Sequence, residues 1–433
     1  MLKCYIKQAW ELLWQHKLYG ILYLTGTAVP MVLTMIVIMY FHILTAPVYP
    51  ENHRNNLYEL RTVHTVMADG STGGGCCNEA LVRQWCYPVQ AADAVTAIYF
   101  YDFSIHDYLQ LPDGISEMKI RTKYTDPGFF RVFDFQFLAG APFSQSDMEA
   151  GRRNVVIAAS IARRLFGTDQ AAGKTLSING VDYTVAGVVR DASSLTPMSF
   201  AQVWLPYTCM ANYSQYSTAQ PNTGPYTVVF RTHDTAQAEA LQAELQDCLR
   251  RHNLLQTDGS QLAFEGPLPV WKRNLQFGNQ EVKLKEIVTF WGALLLLFLI
   301  VPAVNLGGMI SSKMELRRSE IGIYKAFGAS RGFLLRQVIR ENFFMTLMGG
   351  ILGLLLSWVL LYCGNDWIIA LFDTYGKLKA ETQEILITPS MLFSPVLFLL
   401  AFLFCLVLNW ISALLPAWRA MRVPIVQALG DKK

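Results

Sequence analysis

The chain has 433 residues, 52% of them hydrophobic and only 16% charged, which is too apolar for a set of soluble domains and excludes a soluble enzyme. A net charge of +3 over that length provides no basic field large enough to hold nucleic acid.

Residues 1–19 are expected to form a cytoplasmic amphipathic helix. Leu2, Tyr5, Ile6, Ala9, Trp10, Leu12 and Leu13 share one helical face, opposite Lys3, Lys7, Gln8, Glu11 and Gln15. The pattern suits either a membrane surface or packing on protein. Four stretches, 20–44, 287–310, 341–363 and 391–418, read as transmembrane helices. Apart from Glu341 at the edge of the third they hold no Asp, Glu, Lys or Arg. Each runs about 22 to 28 residues, past the roughly 18 to 20 that a spanning helix needs. The first has too long an apolar run for a signal peptide and lacks a clear small-x-small cleavage site, so it reads as a retained anchor.

Charge sets the orientation. Segments 1–19, 311–340 and 419–433 together carry 14 Lys and Arg against 4 Asp and Glu, so the positive-inside rule puts both termini and the 311–340 loop in the cytoplasm. Residues 364–390 then form a short loop on the other side, and 45–286 a full domain there. The expected fold class is an integral membrane α-helical protein with four transmembrane helices and a large extracytoplasmic α+β domain between the first and second.

Within 45–286, strands are expected at 57–66, 95–103 and 118–124, with a mobile glycine-rich loop at 70–75. A strand at 154–158 and a short helix at 160–166 precede a hairpin whose arms, 175–178 and 181–189, meet at Asn179-Gly180; both turn positions require positive φ. A strand at 226–231, a helix capped by Asp234 with Ala238, Leu241, Leu245 and Leu249 on one face, and a strand at 261–264 complete the domain. More than one small α+β lobe is expected. Cys76, Cys77, Cys86, Cys209 and Cys248 lie here, and a disulfide from Cys86 to Cys76 or Cys77 fits an oxidising compartment. A metal site from Cys76, Cys77, Cys86 and His64 does not fit zinc spacing, so none is expected.

Gly167 to Thr175 superficially matches a phosphate loop. It has five residues between glycines instead of four, follows a helix instead of a strand, and leads into a hairpin, so nucleotide binding is not expected there. No catalytic cluster of Ser, His and Asp appears, and His42 at the end of the first span reads as an interfacial residue. In the membrane, Gly349 and Gly353 form a GxxxG packing surface, while Pro302 and Asn305 imply a kink and an interhelical hydrogen bond.

The 311–340 loop reads as a short helix stopped by Gly328 at its C-terminal end, with Ser330 capping a second helix that runs into the third span. Ile321, Ile323, Tyr324 and Phe327 are expected to be exposed among charges of both signs, which suits a protein-docking surface.

The run Glu320-Ile-Gly-Ile-Tyr-Lys-Ala-Phe-Gly-Ala-Ser330 resembles the coupling-helix signature of the FtsX/MacB superfamily of ABC transporter permeases, with Pro302 and Asn305-Leu306 preceding it as in that pattern. The segments 129–143, 155–167, 173–180 and 185–191 are similar to a MacB-type periplasmic core domain, and Pro416-Ala-Trp-Arg-Ala420 with Pro424-Ile-Val-Gln-Ala-Leu429 to the closing motif. Tyr324 and Trp418 stand where relatives more often carry a basic residue.

The resemblance implies a permease of the bacterial inner membrane, multi-pass and non-catalytic. It would bind no cofactor itself and rely on a separate cytoplasmic ABC ATPase that carries ATP and magnesium. Docking would use Glu320, Ile321, Gly322, Ile323, Tyr324, Lys325, Ala326, Phe327, Gly328, Ala329 and Ser330. A second permease copy and membrane lipids are implied partners, and a periplasmic adaptor is a further class the resemblance allows. Its activity would be mechanotransmission for efflux; the alternative is a membrane-anchored sensor or scaffold controlling a periplasmic enzyme, as in cell-division members. No pocket chemistry identifies a substrate.

Overall fold

The computed structural model describes residues 17–100, 107–194, 196–210, 213, 223–257, 259–275, 283–364 and 394–422. The amphipathic helix expected at 1–19 lies outside them up to residue 16, as do the 364–390 loop from residue 365 and the tail from residue 423. The described residues form two compact units: an α+β unit within 43–282, and a helical unit from 17–42, 283–364 and 394–422.

The first helix, α1, runs Lys17–Thr45, its hydroxyl-bearing Thr25 and Thr27 bonding back to carbonyls one turn earlier instead of to solvent. In the α+β unit the chain builds β1 (Leu57–Leu60), β2 (Val63–Val66), β3 (Thr72–Gly75), β4 (Ala94–Tyr99), β5 (Asp107–Gln110), β6 (Glu117–Ile120), β7 (Thr122–Thr125) and β8 (Phe137–Gly140). There follow β9 (Asn154–Ala158), helix α2 (Ala159–Phe166), β10 (Thr175–Ile178), β11 (Val181–Val189), β12 (Val203–Pro206) and β13 (Tyr226–Arg231). Helix α3 (Thr235–Leu255), β14 (Gln261–Phe264) and β15 (Leu268–Pro269) end the unit. Twelve strands form one sheet in the order β15-β1-β13-β4-β7-β12-β9-β11-β10-β5-β6, with β8 on β11, and β14-β2-β3 form a second.

The hairpin β10–β11 turns on Asn179 (φ 52°) and Gly180 (φ 74°), and pairs Ile178 with Val181 as the turn chemistry requires. Asp234 accepts from Gln237 N at 2.8 Å to cap α3, whose Ala238, Leu241, Leu245 and Leu249 are buried.

Four expectations are corrected. The run 57–66 is two strands in different sheets, and Arg61, between them, turns its side chain back onto buried Glu59 at 2.8 Å. The run 118–124 likewise divides between β6 and β7. The glycine-rich segment is in part strand β3, paired with β2 from Val63 with Gly75 to Val66 with Thr72, instead of a free loop. Finally, there are not separate lobes: Val63, Leu262 and Phe264 of the small sheet share one continuous core with Val156, Val188 and Trp204 of the large one. The large sheet does narrow at its middle, where β4 and β7 share the single pair Ile98 and Thr125.

The helical unit continues with α4 (Leu284–Leu316), α5 (Arg318–Ala326), α6 (Arg331–Cys363) and α7 (Pro395–Arg422). Among the described residues, α1, α6 and α7 are long and apolar enough to cross a membrane. The stretch 287–310 lies within α4, which is 33 residues long. Both α4 and α6 pack on α7, and Trp291 of α4 packs its ring edge against Phe41 of α1 at 5.2 Å between centroids.

Candidate functional site

Between α4 and α6 the chain passes through the short helix α5 within about fifteen residues, and elementary helix chemistry sets the turn from α5 into α6. The last turn of α5 closes at Gly328, whose φ of +88° is the left-handed conformation that glycine adopts without a Cβ penalty. Gly328 N bonds Lys325 O at 3.0 Å and Ala329 N bonds Tyr324 O at 2.9 Å, so the terminal carbonyls are satisfied. Two residues on, the Ser330 hydroxyl accepts from Phe333 N at 3.3 Å and starts α6.

The two faces of α5 differ. Ile321 points inward, is only 8% exposed and belongs to one buried cluster with Tyr23 of α1, Ile310 and Met314 of α4, Leu334, Val338 and Met345 of α6 and Ala417 of α7. One short helix thereby touches a core to which every long helix of the unit contributes. The expectation that Ile321 is exposed is therefore corrected. Ile323 (48% exposed), Tyr324 (50%) and Phe327 (88%) face outward, and a short helix with that much bare apolar surface is costly in water unless something covers it. Glu320 is exposed as well. Burial and the neighbouring Arg331 pull the Lys325 ammonium below its usual range.

A tether fixes the angle of α5. Arg317, at the bend between α4 and α5, donates from Nε to Glu320 Oε2 at 3.1 Å and from Nη1 to Glu341 Oε2 at 3.0 Å on α6. Sequence reading missed this pair, because residues 24 apart on different helices have no local spacing signal; Glu341, the charge at the edge of an otherwise uncharged span, is the one hint.

The GxxxG residues lie where α6 meets α1 in the same chain. A Cβ at Gly349 would stand 2.7 Å from Thr27 Cβ, and one at Gly353 would stand 2.8 Å from Ala28 O. Nearby, Thr346 shares a 3.2 Å hydrogen bond with the Tyr23 hydroxyl. Pro302 and Asn305 lie within α4, and the contacts expected of their side chains fall outside the described residues.

Gly167 and Gly173 have positive φ as a helix cap and a turn, Lys174 lies over the Phe166 ring of α2 at 4.9 Å and Gly173 N bonds Val185 O of β11 at 2.8 Å, so the loop is folded onto the helix and hairpin that flank it. The expected disulfide is absent: Cys76, Cys77 and Cys86 are free, buried thiols, and Cys77 and Cys86 belong to the apolar core, where they pack as small hydrophobes. Burial pushes the Cys76 thiol up to about 12. Among the described residues no group of three or more His, Cys, Asp or Glu is arranged to hold a metal.

Two family descriptions match the chain. The MacB-like periplasmic core domain matches residues 31–247, about half of the chain, and the FtsX-like permease C-terminal domain matches 292–425. The macrolide export ATP-binding/permease protein MacB of Chromobacterium violaceum is 28% identical over 268 residues, covering 59% of this chain and 37% of that protein. The uncharacterized ABC transporter permease YknZ of Bacillus subtilis is 23% identical over 238 residues, covering 52% and 53%. The macrolide export protein MacB 1 of Yersinia pestis is 25% identical over 357 residues, covering 81% and 49%. The chain thus spans about half or less of the length of these curated relatives.

Proposed function

This chain belongs to the ABC transporter permeases with a MacB-like periplasmic core domain and an FtsX-like permease domain, and on that basis we propose that it is a non-catalytic permease subunit driven by a separate cytoplasmic ABC ATPase. The observation that carries this reading is the division of α5: Ile321 is buried in a cluster to which all four long helices contribute, while Ile323, Tyr324 and Phe327 stand bare. A partner that pushes on the bare face moves the whole bundle, because the inward face is packed into it.

In this reading 20–44, 287–310, 341–363 and 391–418 are the four spans of a bacterial inner-membrane protein, with α5 cytoplasmic and the α+β unit outside. Residues 319–331 receive the ATPase, which alone holds ATP and magnesium. A second permease copy completes the assembly, and movement of the α+β unit performs export, the class of activity for which the two MacB relatives are named.

The test is co-purification of the tagged chain from its native membrane. An ABC ATPase and Mg-ATP hydrolysis should accompany the wild type. Both should fall in Glu320→Lys and in Gly328→Val, which forces a β-branched residue to φ +88°, while membrane abundance is retained. Wild-type preparations without an ATPase would refute the reading.

A further inference from the structure

The last turn of any helix has backbone carbonyls with no partner inside the helix, and it carries the negative end of the helix dipole. At the end of α1 two side chains from distant parts of the sequence take these carbonyls, and all the residues involved lie in the α+β unit. Arg54 Nη1 donates to Ile43 O at 2.6 Å, and Asn274 Nδ2 donates to Leu44 O at 3.0 Å.

Each of the two is itself fixed. Arg54 is fully buried and donates from Nε to Glu51 Oε2 at 2.8 Å. The other oxygen of Glu51 accepts from the backbone N–H and the hydroxyl of Ser199 at 3.1 and 2.8 Å, and Ser199 O accepts from Trp204 Nε1 in β12 at 3.2 Å. A continuous series of hydrogen bonds, all but the last, from Trp204, charge-assisted by Arg54 or Glu51, therefore runs from the end of α1 to the middle of the large sheet. Asn274 follows directly on β15 and the short helix Val270–Arg273. There, β15 pairs with β1, and buried Glu59 of β1 pairs with Arg273 at 3.2 Å. The incoming and outgoing segments of the unit are joined to each other and both to Ile43 and Leu44, the residues of the last turn of α1 that belong to this unit.

A fully buried Arg–Glu pair is a costly way to finish a helix, since a glycine or a solvated lysine satisfies the same carbonyls without desolvating two charges. What the buried pair adds is a single fixed geometry. We propose that Arg54 and Asn274 are positioning residues that clamp the last turn of α1 to the α+β unit, so that a shift or tilt of α1 is delivered to the large sheet. The proposal rests on the reading of the chain as an ATPase-driven permease.

The test uses the full chain with its co-purified ATPase in lipid nanodiscs. Hydrogen exchange of peptides covering β1 and β12 is compared between ADP and ATP with vanadate. The wild type should show a nucleotide-dependent difference in protection. Arg54→Met and Asn274→Ala should keep ATPase binding and hydrolysis yet lose that difference, and Arg54→Lys, which keeps the charge, should recover part of it. A bond with only a structural role would lower the melting temperature and leave the difference in place, and that result would overturn the clamp. Should Arg54→Met fold poorly, Asn274→Ala decides, because it deletes one part-buried hydrogen bond. Absence of the difference in the wild type would refute the permease reading, and the clamp with it.

Discussion

Gly353 brings α6 so close to α1 that a methyl group in its place would stand 2.8 Å from the carbonyl oxygen of Ala28. The neighbour is backbone, so it cannot rotate away as a side chain would. Gly353→Leu should therefore separate the two helices and destabilise the bundle by about 1–3 kcal/mol, the usual range for overpacking. A lowered melting temperature in detergent would register it. Gly332→Ala, at a helical position where nothing lies within 4 Å of the new Cβ, should melt no lower than the wild type.

Asp126 lies where β4 and β7 share their single pair. It accepts from the Tyr87 hydroxyl at 2.5 Å, Ala97 N at 2.7 Å and Thr96 Oγ1 at 2.8 Å. Burial raises its carboxyl above the usual range despite these donors. The folded chain then binds this proton more tightly than the unfolded chain does. The stabilisation is full below the unfolded value of about 3.9 and is lost as pH rises through the folded one, at no more than about 1.4 kcal/mol per pH unit. Asp126→Asn should flatten the dependence of melting temperature on pH in that window; an unchanged slope would mean that Asp126 does not titrate there.

Orientation is open to direct labelling. In a variant lacking the eight native cysteines, Asp113→Cys, in an exposed turn of the α+β unit, should react with an impermeant maleimide in intact spheroplasts. Lys325→Cys on α5 should react only after permeabilisation. Labelling of position 325 in intact spheroplasts would reverse the proposed topology.

Local chemistry was legible in the sequence and distant contact was not. Asn179-Gly180, the Asp234 cap, Gly328 and Ser330 each act within a few residues of themselves, so their turns and caps could be placed before any tertiary structure was known. The glycines at 73–75 misled because a glycine run held in a strand by its ladder has the same composition as a loose loop. Ile321 and Ile323 carry identical side chains two positions apart, and only the bundle decides that one is buried and the other bare. Arg317 with Glu341, and Arg54 with Glu51 and Ile43, depend on how elements pack, which no spacing rule encodes.

The central claim is that the bare face of α5 receives an ABC ATPase. Placing the photo-reactive amino acid p-benzoylphenylalanine at Phe327, the most exposed aromatic residue described on that face, and irradiating native membranes tests it most directly. The account predicts a cross-linked product containing an ABC ATPase from position 327, lost on adding Glu320→Lys, and none when the same residue is placed at Asp113. Cross-links from position 327 to lipid alone, or an ATPase captured equally from position 113, would contradict it.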